Sequence, residues 1–406
     1  MFSIQNNIME ELFSYQNKIL QSITDKWMRA AYAKIDWNER LFGIKGLRGV
    51  GKTTLLLQHL KFHYQEKDKA LYVSADNPWF YTHNLYELIT EFDRSGGKLL
   101  LIDEIHKYPK WATELKSGYD THPTMQFIFT ASSAFDIYKS EADLSRRSTV
   151  TQLPGLSFRE FLEFRHSVSF PEITFKDLLK NAVPLSNEIN EQIRPLSYFK
   201  EYMATGYFPF LKGEAEATSK QKLIAIVNAV LESDLAYVQD YSPSNVQKIK
   251  KLLGVIAGTA PFTPNISKIA AKLNVGRNTI YNYLKHLEDA HILNLTHKSG
   301  RGISILQKPD KVYFENTNLA MALNKQSEIG ALRETFFVNQ IRNAGHDIYL
   351  AKQGDFLIDD EITVEIGGKN KTSKQVQALE NAYVVKDDIE YAFQKNIPLW
   401  MFGMLY

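Results

Sequence analysis

With 406 residues, 44% of them apolar, the chain is long enough for two to three domains with ample core, which excludes a disordered polymer. Its 48 basic and 46 acidic residues leave a formal charge of +2, so no global field draws in nucleic acid or membrane, and any nucleic-acid contact has to be a local patch. The absence of cysteine excludes disulfides and thiolate metal sites; with no basic-then-apolar leader after Met1 and no apolar run near the roughly 18 residues of a membrane span, the chain reads as cytoplasmic with no membrane partner.

Apolar residues at helical spacing (Ile8, Leu12, Ile19, Leu20, Ile23, Trp27, Ala31) predict a helix or helix pair over residues 7–35. Leu41–Lys45 then reads as a buried strand. Directly behind it stands Gly46-Leu-Arg-Gly-Val-Gly-Lys-Thr53, the phosphate-loop pattern G-x-x-x-x-G-K-[ST], before a helix that opens at Thr54. The chemistry needs this order. Glycines let the backbone N–H groups of Gly46, Leu47, Arg48, Gly49, Val50 and Gly51 turn toward phosphate, Lys52 reaches the β/γ oxygens, Thr53 ligates Mg²⁺, and Thr54 adds an N–H at the helix start. The expected ligands are ATP and Mg²⁺, although no motif reads the base.

Ala70–Ala75 predicts the next strand, and Lys98-Leu-Leu-Leu-Ile-Asp-Glu-Ile-His106 a third that ends in two carboxylates. Asp103 is the expected metal-shell ligand and Glu104 the base that activates water. Met125–Ala131 follows, closing on a polar cluster in which Ser132 either senses a γ-phosphate or caps the next helix. Arg146 and Arg147 precede a fifth strand, Thr149–Leu153. They are candidates to reach the γ-phosphate of a neighbouring subunit in a homo-oligomer, or else a surface pair. Strands alternating with helices imply an α/β fold with a parallel, doubly wound sheet. From Ser157 to about Leu235 the pattern is helical, broken by Pro195 and Pro209, as in a lid or linker.

Residues 246–298 resemble a winged helix, with Asn265–Leu273 as the first short helix, Asn274–Arg277 as the turn and Asn278–Glu288 as the second helix. Arg277, Asn278, Thr279, Asn282 and Lys285 then offer a DNA-reading face, unless the block is a packing module. Beyond Gly302, a helix over Leu332–Ile341 and strands at Ile348–Leu350, Phe356–Ile358 and Ile362–Ile366 carry Glu334, Asp355, Glu365 and Lys369, a possible second metal site. An acid-x-lysine pair on one strand face is the arrangement that metal-dependent nucleic-acid cleavage uses. Here Gly367 holds the lysine position, Lys369 would stand about 13 Å from Glu365 along an extended strand, and Gly367 and Gly368 suggest a turn that takes Lys369 off that strand. The expectation is a structural or partner-binding platform rather than a nuclease.

Taken together, Gly46–Thr53, Leu99–Glu104, the Leu153-Pro-Gly-Leu-Ser-Phe-Arg-Glu-Phe161 segment and Asp355 with Glu365–Lys369 resemble one prokaryotic group. Its members join an AAA-type P-loop ATPase domain to a winged helix and a degenerate restriction-endonuclease-like domain. The chain departs from the group's pattern at Ala131 and Ser145, where glycines are usual. The resemblance implies an N-terminal helical segment (1–35), an ATPase core (36–156), a helical lid (157–242), a winged helix (243–302) and a C-terminal α/β nuclease-like domain (303–406). It also implies Mg²⁺-dependent ATP hydrolysis that moves or assembles the C-terminal modules, with Glu104, Arg146 and Arg147 catalytic and an unknown protein as a further partner. The rival readings are an ATP-gated DNA-binding regulator and an ATP-coupled nuclease.

Overall fold

The computed structural model describes residues 2–133, 147–235, 242–258, 261, 263–298, 308–324, 328–372 and 379–406. Arg146 therefore lies outside the described residues. Two compact units emerge, one running to Pro154 and the other starting at Gly155.

The first unit is built on five strands, all but the polar edge strand Thr149–Gln152 reading as largely apolar runs, because a parallel sheet is covered on both faces. These are β1 (Leu41–Gly46), β2 (Ala70–Ser74), β3 (Leu99–Asp103), β4 (Gln126–Ser132) and β5 (Thr149–Gln152), in the order β2-β3-β4-β1-β5, with every pairing parallel. Leu99, Leu100, Leu101 and Ile102 are at most 1% exposed. Helices α1 (Phe2–Gln21), α2 (Lys52–Gln58), α3 (Leu85–Arg94) and α4 (Trp111–Thr121) accompany the sheet. The predicted N-terminal helix is α1, and Leu12 on it belongs to the same apolar core as Leu71, Val73 and Ile102.

β2 is an edge strand, whose unpaired backbone groups are a liability unless covered. Gln16 on α1 covers them: the Tyr72 N–H donates to its Oε1 at 2.6 Å, and its Nε2 donates to the Ala70 carbonyl at 3.4 Å. Lys61 closes the other end of α1 by donating to the Leu20 and Ile23 carbonyls at 2.7 and 2.8 Å, a cation placed on the negative end of the helix.

Beyond α2 the chain turns through His59, which is 6% exposed, stacked on Trp37 at 4.0 Å between ring centroids, and bonded through Nδ1 to the Tyr32 hydroxyl at 3.0 Å. Burial, then the nearby His63, lowers its pKa from the usual 6.5 to about 4. A folded-state pKa below the unfolded one means that the unfolded chain takes up the extra proton. Stability from this residue is therefore complete above about 6.5 and lost as pH falls toward about 4. Denaturant unfolding at about pH 5 and about pH 7 should differ by about 2 kcal/mol more in the wild type than in His59→Phe. An identical pH slope in the two proteins would place the effect elsewhere.

The second unit opens with α5 (Phe158–His166), whose start is a reciprocal cap. Ser157 accepts from the Glu160 N–H while Glu160 reaches back to the Ser157 N–H. α6 (Phe175–Gln192) contains Pro184, which lacks an N–H and crowds the preceding turn, and the helix breaks at Asn181 with φ −119° and ψ 24°. Pro195 starts α7 (Pro195–Glu201), and Pro209 starts a short 3₁₀ turn, so both prolines sit where a missing N–H costs nothing. α8 (Glu216–Ala229), α9 (Pro243–Ala257), α10 (Ile266–Leu273) and α11 (Arg277–Asp289) follow. Asn265 caps α10 through the Lys268 N–H, and Asn274 ends it at φ 51°, the left-handed turn that leads into α11.

Next come the antiparallel strands β6 (Leu293–Thr296) and β7 (Lys311–Phe314), then α12 (Thr317–Leu323) and α13 (Ile329–Asn343). A mixed sheet completes the unit: β8 (Ile348–Leu350), β9 (Phe356–Ile358), β10 (Ile362–Gly367), β11 (Ala382–Lys386) and β12 (Asn396–Pro398), ordered β12-β11-β10-β9-β8. β9 runs antiparallel to both its neighbours, while β10, β11 and β12 are parallel.

Candidate nucleotide site

The loop between β1 and α2 is shaped by its glycines. At Gly46 a Cβ would meet the Leu153 carbonyl oxygen at 2.4 Å, and Gly49 and Gly51 sit at φ 88° and 100°, in the region that side chains avoid. Lys52 opens α2, is 5% exposed, and donates to the Gly46 and Leu47 carbonyls at 2.9 and 3.4 Å. Arg29, which sequence reasoning missed, braces the loop by donating to the Val50 and Pro154 carbonyls at 2.8 and 2.9 Å. Thr54 is exposed on the first turn of α2.

Asp103 ends β3 and is held by three hydroxyls. Thr53 donates to its Oδ2 at 2.7 Å, Tyr72 to the same oxygen at 3.0 Å, and Thr130 to Oδ1. Burial pushes the Asp103 carboxyl above the usual range, a push that the Thr130 bond opposes and Glu104 adds to. Thr130 also accepts from the Glu104 N–H at 2.9 Å, so a single hydroxyl sets the position of both acids. Glu104 itself adopts φ 52°, a strained backbone for a side chain of its size, and turns its carboxylate off the strand. Around that carboxylate stand Arg48 Nη2 at 3.5 Å, Lys107 Nζ at 3.7 Å, His106 Nε2 at 3.8 Å and Lys52 Nζ at 4.0 Å.

The structure thus brings Lys52, Thr53, Asp103 and Glu104 together. Ser132 is buried at the end of β4, pairs in register with Gly46, and donates its N–H to His106 Nδ1 at 3.3 Å. From the polar cluster read at the end of this strand, it is Thr130 that touches the acids. Arg147 is held by Asp120, Nε to Oδ1 at 3.1 Å. Among the described residues no three His, Asp or Glu side chains form a metal cluster. One carboxylate and one hydroxyl fit Mg²⁺, a hard cation that takes few protein oxygens and fills its shell with water and phosphate.

At the second predicted site each acid has its own partner. Glu334 on α13 accepts from Lys311 at 2.5 Å and from the Tyr313 hydroxyl at 2.6 Å. Asp355 accepts from the Ile366 N–H at 2.7 Å, and burial raises its carboxyl above the usual range. Glu365, 1% exposed, is paired through Oε1 with Lys371 at 2.9 Å. Lys369 stands off the strand, on a turn at the two glycines. The chain reverses after β10, with the Lys371 N–H donating to the Gly368 carbonyl at 2.9 Å, and this leaves Lys369 exposed on the turn. Lys371 comes back over Gly367, where an added Cβ would lie 2.6 Å from its stem. On the helix read as a DNA face, Arg277, Asn278 and Asn282 are exposed, whereas Lys285 is paired with Asp289 at 2.9 Å and Glu288 at 3.3 Å.

Comparison with known proteins places this geometry. Residues 38–162 match the family described as an AAA domain, and residues 196–329 match a domain of unknown function, DUF8612. Over 403 residues the chain is 27% identical to the uncharacterized protein MJ1637 of Methanocaldococcus jannaschii, covering 91% of this chain and 82% of that one. A second protein of that organism, the uncharacterized MJ1544, is 24% identical over 347 residues, covering 82% and 73%. Among solved structures, AMPPCP-bound DnaA from Aquifex aeolicus aligns over 64% of this chain and 84% of its own at 17% identity, with a TM-score of 0.23. PCH-2 of C. elegans aligns over 69% and 68% at 14% identity, with a TM-score of 0.26. Overlays this loose carry no weight. The matched family and the five-stranded parallel sheet around the phosphate loop agree: residues 38–162 carry an AAA-type P-loop ATPase domain.

Proposed function

We propose that the chain binds ATP with Mg²⁺ and hydrolyses it, and that the cycle moves or assembles the modules of the second unit. The observation that carries this reading is the chain of contacts from Thr53 to Asp103 to Thr130 to Glu104, which ends with the carboxylate 4.0 Å from Lys52 Nζ. Lys52 exchanges its loop carbonyls for phosphate oxygens, and the loop N–H groups take the β-phosphate. Thr53 and Asp103 would hold Mg²⁺, whose charge would offset that of the bound phosphates. Glu104 orients a water and takes its proton.

For the second unit, α9, α10 and α11 followed by β6 and β7 support a winged-helix reading. The pairing of Lys285 with its own helix favours packing or protein contact over DNA. The C-terminal sheet with α13 supports a nuclease-like platform for a protein partner or a second copy of the chain. The test of the ATPase reading is Mg²⁺-ATP turnover by the purified chain beside Lys52→Ala. Turnover in the wild type, with binding weakened at least about tenfold in the variant, is expected, since one lost charge-assisted contact to phosphate is worth about that much or more. Equal nucleotide affinity in the two proteins would remove Lys52 from the site.

A further inference from the structure

Arg48 stands at a position of the phosphate loop where the motif accepts any residue, yet its side chain is turned onto the catalytic acid. Its Nη2 is 3.5 Å from Glu104 Oε2, while Lys52 Nζ is 4.0 Å from Oε1 of the same carboxylate. These two face opposite oxygens of the group that must lie next to the attacking water, and Lys107, itself paired with Asp76 at 2.7 Å, and His106 stand beside Arg48 at Oε2. Lys52 marks where the β- and γ-oxygens go, and the water belongs between Glu104 and the γ-phosphorus. A guanidinium in contact with Glu104 is therefore a short side-chain rotation from the γ-oxygens. At 29% exposure it is not locked in the core, and its length permits that movement.

Phosphoryl transfer needs positive charge at this point, because the transition state spreads negative charge over three equatorial oxygens. Of the two arginines expected to supply it, Arg147 is committed to Asp120, and Arg146 lies outside the described residues.

We propose that Arg48 is a further catalytic residue, an arginine supplied by the chain to its own site, which exchanges Glu104 for the γ-phosphate oxygens of bound ATP. This rests on the ATPase reading above. In the step it serves, the water oxygen bonds to the γ-phosphorus and the bond to the β-bridging oxygen breaks, its electron pair leaving on ADP. Glu104 takes the water's proton. Arg48 carries the charge gathered on the equatorial oxygens, and its departure removes the nearest of the three groups held against Oε2 of Glu104, the others being Lys107 and His106. The same contact couples nucleotide recognition to catalysis, since ADP lacks the oxygens that draw Arg48 away.

The test uses the full chain as wild type, Arg48→Ala, Arg48→Lys and Lys52→Ala, with three readouts. Single-turnover hydrolysis by Arg48→Ala should fall about 10³-fold, the size seen for arginines at transferring phosphoryl groups, and Arg48→Lys should recover little because it lacks the planar fork. Competition binding should show AMPPCP weakened about tenfold or more while ADP affinity stays within about twofold, because only the γ-phosphate meets Arg48. Mixing Arg48→Ala with Lys52→Ala should restore nothing, since the arginine acts within its own chain. Wild-type or faster turnover by Arg48→Ala would overturn the proposal by making Arg48 a mere restraint on Glu104. Equal losses for ADP and AMPPCP would reduce it to loop structure, and recovery on mixing would make it an arginine acting between subunits. A wild type that binds AMPPCP but never turns over ATP sinks the parent ATPase reading, while the comparison of ADP with AMPPCP still decides whether Arg48 meets the γ-phosphate.

Discussion

Glu104→Gln should bind ATP like the wild type and hydrolyse it on the order of 10²–10⁴-fold more slowly, the usual loss of a general base. The amide keeps the shape of the carboxylate and can still orient a water, but it cannot accept the proton. Backbone geometry makes the substitution clean. Glu104 is held at φ 52° by a turn whose N–H is fixed to Thr130, and neither feature depends on the carboxylate. Binding should survive because the proposed function gives phosphate contact to Lys52 and the loop N–H groups. The checks are nucleotide affinity by equilibrium titration and turnover in single-cycle kinetics. Wild-type turnover by Glu104→Gln would mean that another group activates the water, and His106, 3.8 Å from the carboxylate, would be the next to examine.

Lys371→Ala should destabilise the second unit by about 2 kcal/mol, while Lys369→Ala should change it by less than about 0.5 kcal/mol. Removing Lys371 leaves Glu365, 1% exposed, without its counter-charge, and its Oε2 has no hydrogen-bond partner to begin with. An uncompensated buried carboxylate costs about 3–5 kcal/mol when its partner is fully buried. Lys371 is 30% exposed, so water screens part of that cost and the smaller figure applies. Lys369 sits on the exposed turn, where surface substitutions matter little. Urea unfolding followed by a probe in the second unit separates the two variants. Equal effects would mean that the Glu365–Lys371 pair is not formed in solution.

The phosphate loop and the paired acids of β3 were legible without a structure because each is a contiguous run whose spacing is set by local geometry. Gly49 and Gly51 need positive φ wherever the loop folds, and Leu99–Ile102 are apolar because both faces of a parallel sheet are covered. The short helices around Asn274 were legible for the same reason. β11 and β12 were not, being short strands of a mixed sheet with weak alternation. The partners that complete the sites come from far along the chain: Tyr72 lies 31 residues from Asp103, Thr130 27 residues from it, Gln16 56 residues from Tyr72, and Arg29 125 residues from Pro154.

Lys371 is the clearest case of a nearer kind. Counting along an extended strand leaves Lys369 too far from Glu365, and the turn after Gly367 folds the chain back and delivers the next lysine, Lys371, instead. The sequence by itself determined which chemistry the loop and the β3 acids can carry, because that chemistry needs particular residue types at fixed local spacings. Only the tertiary structure decided which hydroxyls hold Asp103, which basic groups surround Glu104 and which lysine neutralises Glu365, because buried charges and hydroxyls are satisfied by whichever groups packing brings within reach.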